Sequence, residues 1–196
     1  TLADASRLAE RADVRSLELL RERVRANDVK LGNRRPETVA GVLATVEAHL
    51  DAAHRLRLAQ DQWLLAEGRM RDYRRAIAPY VQALADKRDD FEDIKLLAGP
   101  APQRLLPLAR ELNRHARFVA LIQPPPQLAA IHGAFRSAFS LAESAVQLRR
   151  DAVDATDVDL ARRASSAAAG ALLLLERTRA DLKAALEPPV KIAGRP

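Results

Sequence analysis

The residues best suited to chemistry are the four histidines, His49, His54, His115 and His132, and the carboxylates spaced around them. Glu47, Asp51 and His54 stand at i, i+4 and i+7, so a helix would carry all three on one face. Asp51-Ala-Ala-His54 imitates the carboxylate-x-x-His element of di-iron bundles, and Glu111 with His115, four apart, could approach from a second helix. A di-iron centre needs that element twice, with two further inward carboxylates, and the second copy is missing. Carboxylates four apart beside a histidine are also what a water-facing helix side looks like. The expectation is therefore a solvated face, with no metal and no cofactor.

Nucleophilic chemistry has less to work with. The chain has no Cys, which excludes disulfides, thiolate metal sites and Cys nucleophiles. It has no G-x-S-x-G and no Gly-rich phosphate loop. Ser165-Ser166 fall inside an alanine run and read as small packing residues. These observations point to a protein that is not an enzyme.

The basic residues offer binding rather than catalysis. The net charge is +6, but 32 basic residues are interleaved with 26 acids. No block reaches the five or six consecutive like charges of a nucleic-acid tail. Arg110, Arg114 and Arg117 follow one another at steps of four and three, on one helix face. The segment 99–125 that holds them has four arginines against Glu111 alone, a net +3. A second cluster, Arg69, Arg71, Arg74 and Arg75, is partly neutralised by Asp61, Glu67 and Asp72. Aromatics that could stack on bases are 4% of the chain, so nucleic-acid binding is not favoured. An acidic protein partner asks less of such a face. Trp63 is the one Trp, a core residue or, if exposed, an anchor for a partner.

These residues are carried by helical periodicity nearly throughout. Ala, Leu and Arg dominate, and runs of Val, Ile, Tyr or Thr that would read as strands are missing. Leu2 to about Ala26 reads as a first helix, stopped by Asn27-Asp28 and Leu31-Gly32-Asn33. From Pro36, a residue tolerated in a first turn, Val39, Val42, Val46, Leu50, Ala53, Leu56, Gln60, Trp63, Glu67, Met70, Tyr73 and Ile77 step by three and four. Residues 36–78 as one helix would span ~65 Å at 1.5 Å per residue. The period continues past Pro79 through Val81, Leu84, Arg88, Phe91 and Ile94, which predicts a kink there and not a turn. Gly99-Pro100-Ala101-Pro102 is a stop. A helix from about Pro102 to Ile122 follows, then a stiff Gln123-Pro124-Pro125-Pro126 connector and a helix to around Ala155. Thr156 and Asp159 resemble a capping box opening the last helix, which Pro188-Pro189 closes. Its segment Ala164 to Ala171 is small on every face and lets two backbones approach.

The fold this predicts is all-α, an elongated antiparallel helical bundle of five or six helices with long coiled-coil-like members. Residues 1–98 would form a long hairpin whose second helix is kinked at Pro79. Residues 99–187 would add a three-helix segment packing on it, and 188–196 a loose tail, with one continuous domain as the alternative. The longest nearly uncharged run, Ala164 to Leu175, is too short for a membrane span, which needs ~20 apolar residues.

Pro124-Pro125-Pro126-Gln127-Leu128 followed by His132, then a long Ala/Leu helix, a Thr156-Asp157 break and a return helix, resembles the helical hairpins of uncharacterised bacterial envelope proteins. In those a double proline and a nearby His open a long helix. The likeness covers residues 122–187. It implies a bacterial, exported protein and transfers no functional residues. A removed signal peptide would account for a first residue, Thr1, that is not Met, as would a shortened sequence.

The functional expectation is a helical scaffold or interaction domain, periplasmic or otherwise extracytoplasmic, that binds another protein or itself. Two alternatives remain open: a ligand-sensing helical ectodomain, which a deep pocket between helices would favour, and a cytoplasmic Arg-rich helical protein that binds a polyanion.

Overall fold

A computed structural model describes residues 2–97 and 99–190, and among these the backbone forms α-helices, one 3-10 turn and no strand. The order is α1 (Leu2–Glu10), α2 (Val14–Lys30), α3 (Pro36–Ala85), α4 (Arg88–Lys95), α5 (Pro102–Leu121), the 3-10 turn Pro126–Leu128, α6 (Ala129–Ala155) and α7 (Val158–Ala185). The all-α expectation holds. Seven helices stand among the described residues, where the periodicity gives five or six, because two turns interrupt stretches that read as continuous.

The first interruption is at Ala12, whose φ of 53° is left-handed. The Ala12 N–H donates to the Ala9 carbonyl at 3.0 Å and the Asp13 N–H to the Leu8 carbonyl at 2.9 Å, which is a Schellman closure of α1. Asp13 then caps α2, its carboxylate accepting from the Ser16 N–H at 3.0 Å and the Ser16 hydroxyl at 2.7 Å. The hydrophobic period cannot register such a break, because both helices bury the same side. The second interruption is the turn at Asp86 and Lys87, where the Lys87 N–H donates to the Leu84 carbonyl at 3.2 Å. Asp89 and Asp90 then occupy the first turn of α4, where a helix N-terminus favours negative charge.

Two other boundaries differ from the sequence reading. Asn27-Asp28 does not stop α2, which runs on to Lys30 and ends at Gly32 and Asn33, both left-handed. Thr156 is not the cap of α7. It is the left-handed residue that closes α6, with φ 53°, and Asp157 is the cap, accepting from the Asp159 and Leu160 N–H groups at 2.7 and 3.1 Å. The Asp157 N–H reaches back to the Ala152 carbonyl at 3.0 Å, the same closure as at Asp13. Pro79 does not end α3, which is helical on both sides of it. Its ring is exposed, so the Arg75 carbonyl that loses an N–H partner lies on the water side.

Packing divides the chain into two compact units, residues 2–65 with 188–190 and residues 66–187. The division falls inside α3, whereas the Gly99-Pro100 stop lies within the second unit. In the first unit Ala5, Ala9 and Leu17 pack with Val46, Leu50 and Ala53, flanked by Leu8, Val14, Leu20 and Val42. Gln60, a polar member of the α3 stripe, is buried there and accepts from the Val190 N–H at 3.2 Å. The loose tail expected over 188–196 falls beyond Val190 outside the described residues.

The second unit is organised by the α6–α7 hairpin, antiparallel because two residues join the helices. Ala138, Ala142, Ala145 and Ala152 of α6 and Ala164, Ala168 and Ala171 of α7 are buried along it. A Cβ on Gly170 would lie 3.3 Å from the Leu141 side chain, so the backbones are as near as side chains allow. α5 runs back along α6, with Asn113 donating to Glu143 at 3.2 Å. α4 lies on α7, where Arg88 pairs with Glu176 at 2.6 Å and the Ser165 hydroxyl donates to the Lys95 carbonyl at 2.6 Å. Ser165 therefore serves the exposed end of α4 as well as filling the small-residue seam.

Two outcomes follow from the caps. Thr156→Gly is expected to raise the unfolding free energy by about 1 kcal/mol, since a side chain in the left-handed region costs about that, and urea unfolding measures it. The Ser16 hydroxyl and then the Ser16 N–H hold the Asp13 carboxyl below its usual range. Asp13→Ala should cost about 1 kcal/mol at neutral pH. Because the folded value is depressed, the wild type's advantage is full above the unfolded value near pH 4 and disappears as pH falls through the folded one.

Candidate binding surfaces

The outer face of α5 is built by its own inner face. Leu105, Leu108, Leu112 and Val119 are buried, which turns Arg110, Arg114 and Arg117 to water. None of the three has a hydrogen bond or ion pair among the described residues. The one acid on the helix, Glu111, is engaged elsewhere, by Lys87 at 2.8 Å. Three large apolar side chains flank the arginines: Leu106 is 40% exposed, Phe118 47% and Leu121 76%. Phe118 stacks on Tyr80 of α3, centroids 5.8 Å apart, and His115 meets the same ring edge-on. That clamp fixes Phe118 without covering it. The sequence held a signal for these residues, since Leu106 and Leu121 fall out of phase with the buried leucines.

The second arginine cluster is compensated in part, as the sequence suggests. Arg71 pairs with Glu67 at 2.6 Å and Arg75 with Asp72, leaving Arg69 and Arg74 without an ion pair among the described residues. Trp63 is half-buried in the first unit.

Glu47, Asp51 and His54 are all exposed, and Glu47 lies 3.6 Å from Arg25. No group of three or more His, Asp or Glu side chains among the described residues is placed to hold a metal ion. Glu111 and His115 are held by Lys87 and Tyr80 respectively.

His132 has a structural partner that spacing could not reveal. It is buried, and its Nδ1 shares a 3.1 Å hydrogen bond with the hydroxyl of buried Tyr73. The proline connector lines one cleft with Tyr73, and Pro125 and Leu128 are buried. Burial lifts the Tyr73 hydroxyl far above its ordinary range. Burial, and after it the charge of Arg136, holds His132 below its ordinary value.

A groove of about 440 Å3 lies in the second unit between α3 and α7, floored by Phe135 of α6. Its rim carries Arg74, Arg179 and Lys183, two of which the sequence reading passed over because they belong to no cluster.

The His132 environment has a measurable consequence. The unfolded chain takes up a proton at this residue near pH 6.5, while the fold resists it. Stability should therefore decline as pH falls below about 6.5 and level off below the lower folded value. His132→Gln is expected to flatten this part of the profile in urea titrations across pH.

No protein-family model, no curated protein and no solved structure matches this chain.

Proposed function

We propose that this protein is a non-enzymatic helical scaffold, a bundle of antiparallel coiled-coil-like helices that binds another protein through the outer face of α5. The observation that supports this most is the set of three uncompensated arginines, Arg110, Arg114 and Arg117, set among exposed Leu106, Phe118 and Leu121. Charge on such a face selects an acidic partner, and desolvated apolar anchors supply most of the affinity. The partner that fits is an amphipathic helix with an acidic flank, laid along α5. Trp63, half-buried, is a second candidate anchor.

A polyanion is the weaker reading. At 0.15 M salt, charges more than ~8 Å apart hardly reinforce one another, and acids elsewhere offset most of the basic residues. Nucleic-acid affinity would rest on few phosphate contacts and would fall steeply with salt. The likeness of residues 122–187 to envelope-protein hairpins supports a bacterial, extracytoplasmic setting, with a cytoplasmic one as the alternative. No described helix is long and apolar enough to cross a membrane.

The test uses two probes, a synthetic amphipathic helix with a glutamate flank and a leucine stripe, and duplex DNA. Binding of the peptide should persist at 0.15 M salt and weaken at least tenfold, about 1.4 kcal/mol, when Arg110, Arg114 and Arg117 are all replaced by Gln. DNA binding should vanish near the same salt. Sub-micromolar DNA binding that survives 0.15 M salt would replace this reading with the polyanion one.

A further inference from the structure

The groove between α3 and α7 goes beyond the α5 reading and does not rest on it. Its floor is apolar and well packed, since Ile77 and Phe135 are fully buried and Val81 and Leu182 are each 8% exposed. On the α3 side Ala78 contributes only a methyl group, which leaves the cleft unfilled. The rim is cationic. The side chains of Arg74, Arg179 and Lys183 have no hydrogen bond or ion pair among the described residues. Acids that could have compensated them are engaged: Asp72 with Arg75, Asp181 with Arg177 at 3.9 Å, and Asp86 with the Gln82 amide at 2.7 Å. Glu187 is the one carboxylate on the lining, so three cations face one acid.

Size and charge together narrow the occupant. A volume of about 440 Å3 lies within the range of ~300–1,000 Å3 typical of small-molecule sites. It matches roughly a single turn of α-helix, ~10 Å across and 5.4 Å in pitch, too little for a docking helix. Arg179 and Lys183, four apart on α7, face the same side as each other and can converge with Arg74 on one anionic head. Guanidinium groups bind carboxylates through paired hydrogen bonds, while an uncharged head would leave the cations uncompensated and a cationic one would be repelled.

We propose that this groove binds a single-chain amphiphile with an anionic head, a free medium-chain carboxylate. Its alkyl chain lies along Ala78 and Leu186, above the buried floor, and its head sits among Arg74, Arg179 and Lys183. Each methylene removed from water strengthens binding about fourfold.

The experiment is calorimetry on the full chain with monomeric octanoate, decanoate, octanol and octyltrimethylammonium. Decanoate should bind more tightly than octanoate, by up to about sixteenfold for two methylenes. Octanoate should exceed octanol, and octyltrimethylammonium should be weakest. Replacing Arg74, Arg179 and Lys183 together by Gln should weaken decanoate at least tenfold and leave octanol unchanged. Ala78→Trp, on an exposed position, should abolish binding of both, with circular dichroism confirming the fold. Replacement of the α5 arginines by Gln should have no effect, which separates this site from that face. Equal affinity for the three head groups, no gain with chain length, or binding to anionic phospholipid vesicles but not to monomeric decanoate would overturn the proposal.

Discussion

The close approach of α6 and α7 is the constraint on which the second unit depends. Helix axes usually lie 8–10 Å apart, at a distance set by the side chains between them. Alanines on both helices, with Gly170 against Leu141, hold this pair toward the near end of what side chains permit. Methyl groups bury little area each, so the seam contributes little as a hydrophobic mass and much as a fixed geometry. The bulk of the core is displaced to either side, onto Phe91, Phe135, Phe139, Leu105 and Leu112. α4 and α5 settle on those side chains, α4 against α7 and α5 against α6.

Both candidate surfaces follow from that arrangement. α5 turns Leu105, Leu108 and Leu112 inward, which leaves an arginine row outward with no ion pair among the described residues. Three ion pairs in this unit join different segments, Lys87–Glu111, Arg88–Glu176 and Arg104–Asp90, while others, such as Arg71–Glu67 and Arg177–Asp181, stay within one helix. In the Arg104–Asp90 pair the Asp90 side chain is only 10% exposed, so its arginine compensates a carboxylate that has lost most of its water. Acids are thus taken up both between helices and within them, and cations with no ion pair among the described residues stand on α5 and at the rim of the α3–α7 groove. Phe135 links the two themes, since it is fully buried in the core directly beneath the groove.

What could be read from the sequence was what repeats. The step of three and four gave the helical class, the buried stripe of α3, and the single helix face shared by Arg110, Arg114 and Arg117. It could not register the breaks at Ala12 and at Asp86-Lys87, because a helix that stops and restarts in phase leaves the pattern intact. It mistook Thr156 for a cap, because a hydroxyl three residues before a carboxylate is the usual signature, and only the backbone angle shows that Thr156 closes the preceding helix. The Tyr73–His132 hydrogen bond joins residues 59 positions apart, and no local spacing could announce it. The groove was invisible for the same reason, since Arg74 of α3 and Arg179 of α7 line it together although they stand far apart in the sequence. Glu47, Asp51 and His54 share a helix, as their spacing required, yet sharing a helix brought them no partner from elsewhere.

Asp157 is at once the residue that seals α6 and the residue that opens α7. Such economy leaves the connection without slack. One extra residue there would turn α7 by about 100° around its axis, since a helix completes a turn in 3.6 residues. Ala164, Ala168 and Ala171 would then swing away from α6 and longer side chains would enter the seam. Length variation in this protein should therefore be absent from the α6–α7 connection and tolerated in the longer ones before α3 and after α4. The hairpin acts as a phase lock, and two residues set the rotation at which everything packed on α7 has to stand.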